Sequence, residues 1–336
     1  MIKKLAILFL CFSGFVKIQA QDIHFSQFDQ SYLNLNPALT GQFNGDYRFN
    51  ANFKNQWAAV SDPYQTVSFS ADAKSPIKTY QALALGIQFF NDEAGAGGLQ
   101  TTQVGINLAH DYALNSDSNF RVIAGVHLGL ISRSINFDDF SFDNQFNGSR
   151  YDANRPTGEN FDQSSYSYFN VNAGLVFSYQ VENRKNIIAG FSYFNLPSSN
   201  QSFFSENIPV NKRLSIHANA DWFLSEKFDL LPSILIAKQG SFSEAVFGTN
   251  LRYRMNQNQS MKRNIYGGVW YRNKDALILS TGMDYNQWLV GISYDINLSD
   301  LDRASNNKGG LELAITYIIK SFKPQLRRHK ICPKFL

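Results

Sequence analysis

From Tyr47 onward, apolar and polar residues alternate one by one in segments of roughly ten residues. Tyr47, Phe49, Ala51, Phe53 and Trp57 fall on one face, and Arg48, Asn50, Asn52, Lys54 and Gln56 on the other. The same rhythm sets Val122, Ala124, Val126, Leu128 and Leu130 against Arg121, Gly125, His127, Gly129 and Arg133. It returns in 212–223 and 288–297. A 3.6-residue period would scatter these polar residues around a helix, and the glycines would weaken one. Beyond residue 20 no apolar run is long enough for a membrane helix; the best, Leu230–Ala237, is broken by Pro232. Alternation also explains how 44% hydrophobic and 15% aromatic residues coexist with a slightly negative mean hydropathy.

The pattern places strands near 47–57, 64–73, 80–90, 100–113, 120–135, 165–180, 186–195, 211–223, 228–238, 243–255, 263–272, 275–285, 288–297 and 310–322. That is about fourteen, an even number, as closed bacterial membrane barrels have. Their connections alternate between a longer class of about eleven residues and a shorter one of about five. The long class includes Asn91–Leu99, Asn136–Ser164 and Leu196–Val210. Such asymmetry belongs to long outer loops and short periplasmic turns. Tyr47, Trp57, Tyr64, Tyr112, Trp222, Tyr285 and Trp288 stand near strand ends, as an interfacial aromatic girdle requires. A soluble sandwich or lipocalin-like barrel would point the apolar face inward, but the strand number and an opposite face rich in Asn, Gln, Arg and His disfavour it. The expected fold is all-β: a transmembrane antiparallel outer-membrane β-barrel with an N-terminal plug or rim segment and a short C-terminal tail.

Lys3 and Lys4, the apolar Leu5–Val16 and Gln19-Ala20 make residues 1–20 a secretory signal peptide. Residues 21–46 form the plug or periplasmic segment, 47–322 the barrel and 323–336 a basic periplasmic tail. The positive balance of the chain resides at its two ends, and residues 21–322 are slightly acidic. This leaves no broad basic patch for nucleic acid. Only Cys332 remains after cleavage, too few for an internal disulfide.

No catalytic constellation appears. His24, His110, His127, His217 and His329 lack metal spacing, and no G-x-S-x-G or H-E-x-x-H is present. Gly95-Ala96-Gly97-Gly98 lacks the Lys-Ser/Thr of a phosphate loop, and Asp138, Asp139 and Asp143 lack EF-hand spacing. No cofactor or metal is expected, and His127 and His217 read as hydrogen-bonded lumen residues.

Residues 21–46 are too irregular for a strand. Pro37 and Gly41 fix turns there, and Asn36, Arg48 and Gln56 offer the hydrogen bonds that a lumenal plug needs. The loop Asp92–Gly98 and the longer loops after it are candidates for an outer docking surface. Phe137, Phe140, Phe142 and Phe146 would either anchor a partner or pack the loop over the mouth.

The run Gln21-Asp22-Ile23-His24-Phe25-Ser26-Gln27-Phe28, leading into Leu35-Asn36-Pro37-Ala38-Leu39-Thr40-Gly41, resembles the start of the PorP/SprF family, outer-membrane components of the Bacteroidetes type IX secretion system. Further matches are Asn55-Gln56-Trp57, Pro63-Tyr64-Gln65-Thr66, Asp92-Glu93-Ala94-Gly95, Gln239-Gly240, Tyr271-Arg272, Gly291-Ile292-Ser293-Tyr294-Asp295 and Cys332-Pro333-Lys334-Phe335. Phe53-Lys54, Lys334 and Tyr193-Phe194-Asn195-Leu196-Pro197 depart mildly from the family pattern. Within these motifs Trp57, Tyr64, Asp92, Glu93, Asp295 and Cys332 join the residues above as candidate contacts to plug or partner. The resemblance implies a non-enzymatic barrel serving type IX secretion or gliding, in export or surface anchoring of cargo such as a large adhesin. Its implied partners are machine subunits, the adhesin's C-terminal sorting domain and outer-membrane lipid. The alternative is a porin or FadL-like small-molecule transporter, with Arg121, Arg133, Arg213, His217 and Arg252 facing solutes. A barrel hydrolase is weaker still, because no triad is visible.

Overall fold

The computed structural model describes residues 22–56, 63–75, 82–95, 97–158, 163–204, 206–255, 263–299 and 308–320. Fourteen antiparallel strands close into one barrel. They are β1 (Tyr47–Gln56), β2 (Tyr64–Lys74), β3 (Leu83–Ala94), β4 (Leu99–Ala113), β5 (Phe120–Ser134), β6 (Ser165–Glu182) and β7 (Lys185–Phe194), followed by β8 (Arg213–Phe223), β9 (Phe228–Gln239), β10 (Phe242–Arg254), β11 (Arg263–Arg272), β12 (Ala276–Tyr285), β13 (Trp288–Asn297) and β14 (Lys308–Ile319). Each strand pairs with its chain neighbours, and β1 closes the ring on β14 through the register Tyr47↔Ile319 to Gln56↔Gly310. Closure leaves no unpaired edge, the condition for a sheet to exist in lipid.

The barrel is inside-out relative to a soluble one. On β1, Arg48, Asn50, Asn52 and Lys54 are buried, while Tyr47 and Phe49 are exposed. On β5, Val126, Leu128 and Leu130 are exposed between buried Ile123, His127 and Ile131. An apolar outer wall over a polar interior is what a bilayer selects. Tyr47, Tyr112, Trp222, Tyr285 and Trp288 are exposed at the rim where β1 begins and β14 ends, here the near rim. Tyr64 is exposed at the opposite, far rim, which carries the connections 135–164 and 195–212.

The expected strands and the observed ones agree within a few residues, and β11 and β13 match to the residue. One difference matters for the site. The loop expected at Asp92–Gly98 starts later, because Asn91–Ala94 continue β3 and pair with β4 as far as Ala94↔Leu99. Polar residues suit a strand that has risen beyond the apolar band, so polarity there did not mark a turn.

Residues 22–46 lie in the lumen and cross it from far rim to near rim. Asp22 N–H donates to Gln239 Oε1 (2.9 Å) at the far end of β9. Asp46 N–H donates to the Ile319 carbonyl (2.8 Å) where β14 ends. Between them lie a single α-helical turn, Tyr32–Leu35, and short 3-10 turns at Phe28–Gln30 and Pro37–Leu39. An apolar cluster forms around this segment: Phe28, Leu35, Ala38 and Leu39 pack with wall residues that include Ile123, Val176, Val246 and Trp270. Phe28 meets Trp270 edge-on, with ring centroids 5.6 Å apart.

Candidate functional site

A segment of this length has many backbone groups to satisfy, and water is scarce inside a filled barrel. The inward face of the wall supplies the partners. Lys54 Nζ donates to the His24 carbonyl (3.0 Å), and Arg213 Nη1 to that of Ile23 (3.2 Å). The Glu312 carboxylate accepts the N–H groups of Ser26 (2.7 Å) and Gln27 (2.9 Å), one on each oxygen. Asn50 Nδ2 donates to the Gln30 carbonyl (2.9 Å), and Ser192 Oγ to that of Leu35 (2.9 Å).

Two buried ion clusters clamp the segment. Toward the near rim, Arg48 makes a bidentate pair with Asp72 (2.9 and 2.7 Å), both side chains almost fully buried. The same arginine donates to the Leu39 carbonyl (3.0 Å) and stacks on Tyr32, while Asp72 Oδ2 accepts Gly41 N–H (2.7 Å). Toward the far rim, Arg272 lies against Asp295 (3.0 Å), Asp275 (3.1 Å) and Glu244 (3.1 Å). Ser26 Oγ accepts from Arg272 (2.7 Å) and donates to Asp295 (2.7 Å). Charge-assisted hydrogen bonds are strong, and the Arg48–Asp72 pair is bidentate and so directional as well.

Asn36 is the wedge between the clusters. Its side chain is wholly buried; Nδ2 donates to the carbonyls of Leu175 (3.2 Å) and Phe191 (3.1 Å) and lies 3.2 Å from His217 Nε2. Its Oδ1 accepts Ala38 N–H (2.9 Å) and caps the turn that begins at Pro37. The wall is thinned where the wedge touches it. A Cβ on Gly174 would stand 1.9 Å from Asn36 Oδ1, and one on Gly125 2.3 Å from Ala38 N.

Asn36, Pro37, Arg48 and Asp295 thus meet at the lumenal segment. Gln56 ends β1 at the far rim and makes no hydrogen bond to the segment among the described residues. Tyr64 begins β2 and faces outward. Asp92, expected in an outer loop, lines the lumen in β3 and accepts from Thr66 Oγ1 (2.6 Å). Glu93 follows on the exposed side, paired in register with Gln65 and Gln100. Phe137, Phe140 and Phe142 are half-buried, and Phe146 is exposed. Phe137 lies 6.4 Å from Phe140 and 6.3 Å from Phe203, and Phe140 covers Gly97 so closely that a Cβ there would overlap the ring. Trp57 and Cys332 lie outside the described residues.

Asp72, Arg272, Glu312 and Ser26 were not singled out from the sequence as contacts. Charged residues on the inward parity of a strand were the available signal. Which charge meets which depends on register across strands, and single-strand alternation does not carry that.

A model of the type IX secretion system membrane protein PorP/SprF family matches residues 17–317. The chain belongs to the PorP/SprF family. Fold and family together point to the outer membrane. No curated protein is matched. Among solved structures, the CymD monoaromatic hydrocarbon channel is similar at 13% identity and a TM-score of 0.53, over 87% of this chain and 93% of that one. The Ralstonia pickettii toluene transporter TbuX gives 13% and 0.51, over 86% and 92%. The Pseudomonas putida toluene transporter TodX gives 10% and 0.50, over 89% and 95%. At such identities the likeness is one of fold.

Proposed function

We propose that this PorP/SprF protein is a non-enzymatic outer-membrane component of type IX secretion. It acts in export or surface anchoring of a large adhesin, by holding the cargo's C-terminal sorting domain or subunits of the secretion machine at its rims. The family match along nearly the whole chain carries this reading. The lumen supports it: a barrel threaded by residues 22–46 and clamped by two buried ion clusters suits a docking platform better than a conduit for a polypeptide. The near rim then faces the periplasm and the far rim the outside, following the long-loop rule. The aromatic layer of the far-rim loops and the exposed Phe146 form the outer docking surface.

The test is deletion of the gene, with the secreted and cell-surface proteomes compared with wild type. Loss of one or a few large surface proteins supports a cargo-specific role, and global loss of secreted cargo a role in the core machine. Unchanged proteomes overturn the secretion reading. The second reading is small-molecule transport, favoured by the fold shared with hydrocarbon channels. It requires the lumenal segment to move, and solute-dependent conductance in liposomes would favour it.

A further inference from the structure

The lumenal segment does not fill the near-rim half of the barrel evenly. Its Pro37–Leu39 turn packs against β4–β6, and a cavity of 280 Å³ is left against β7–β13. Its inner end is formed by Asp29, Gln30 and Tyr32 of the segment, and its wall by Asn219, Arg252 and Tyr266 among others. Asp221, about half exposed, marks the open side near the end of β8.

The charges lining this cavity are unevenly matched. Arg252 is already engaged by Asp229 (2.9 Å) and by Asp221 (3.6 Å). Asp29 forms no ion pair among the described residues; backbone N–H groups of Asp29 and Gln30 meet its carboxylate. Gln30 Oε1, beside it, is a buried acceptor without a donor among the described residues. An enclosed carboxylate is costly unless a cation or donors compensate it. Both groups ask for the same thing: a positively charged hydrogen-bond donor. The walls leading in are apolar in part, with Ile188, Leu231 and Leu289, which suits a hydrocarbon stem behind a charged head.

We propose that this cavity receives a lysine or arginine side chain, carried by a polypeptide segment that enters from the near rim, with its cationic head paired to the Asp29 carboxylate. A single carboxylate without a paired cation suits one ammonium or guanidinium group rather than a divalent metal, which needs several oxygen ligands. This goes beyond the secretion reading and stands or falls separately from it, because it is read from binding in vitro.

The test is calorimetric titration of the full chain in detergent with acetyl-Gly-Lys-Gly-amide. Its norleucine and glutamate counterparts serve as probes without the cation. Saturable binding of the lysine peptide alone is expected, weakened at least tenfold by Asp29→Asn and unchanged by Asp117→Asn in the exposed β4–β5 turn. Equal binding of the norleucine peptide, equal binding by Asp29→Asn, or no binding to a chain truncated after Lys320 would overturn the proposal. The truncated chain also separates the sources of the side chain. Tighter binding after truncation assigns the site to this chain's own basic residues 323–336, and unchanged binding assigns it to a separate protein. Circular dichroism of each variant distinguishes lost binding from lost fold.

Discussion

At the residue scale, Arg48 shows how one side chain joins three parts of the molecule. It pairs with Asp72 on the next strand, donates to Leu39 of the lumenal segment and stacks on Tyr32. Arg48→Ala leaves Asp72 buried without its cation, and a loss of roughly 3–5 kcal/mol is expected in urea unfolding of the refolded barrel. The double variant Arg48→Met/Asp72→Leu should recover part of it, since replacing both charges removes the orphan. Gly174→Ala should cost about 1–3 kcal/mol by pushing on Asn36. In an Asn36→Ala background that cost should shrink, and a double-mutant cycle measures the coupling.

At the element scale, the strands were legible because lipid on one side and a polar lumen on the other write a period of two into every one of them. β11 and β13 show this most cleanly. Legibility faded where a strand left the apolar band, as at Asn91–Ala94, where outward polar residues no longer distinguish strand from loop. The lumenal clamps were half legible. Arg48 and Asp295 stood out on inward faces, but Glu312 and Arg272 became visible only when closure brought β14 and β11 around the segment. The far-rim loop adds a prediction of its own. Its rings meet one another, Gly97 and Phe203 of the neighbouring far-rim connection. Phe137→Ala/Phe140→Ala should therefore speed limited proteolysis within 135–164 while leaving barrel unfolding within about 0.5 kcal/mol of wild type.

At the scale of the whole molecule, the interior is a second polar core built between a closed wall and the segment inside it. Deleting residues 22–44 strips partners from Arg48, Asp72, Arg272 and Glu312 at once. Marked loss of stability and the appearance of conductance steps in planar bilayers are expected from that deletion. A deletion that conducts no better than wild type would mean that something other than this segment blocks the lumen. Point variants at single clamps should fall between, because the remaining clamp still holds the segment.

The chain is laid like a thread through a bead: Asp22 sits at one opening, Asp46 at the other, and β1 starts back up the outside of the same hole. The wall therefore cannot be finished first and filled afterwards without passing the free end through its full height. Zipping β1 to β14 around a thread already in place avoids that passage. A short epitope placed directly ahead of Asp22 would emerge at the long-loop opening, on the opposite side of the membrane from one placed after Lys320.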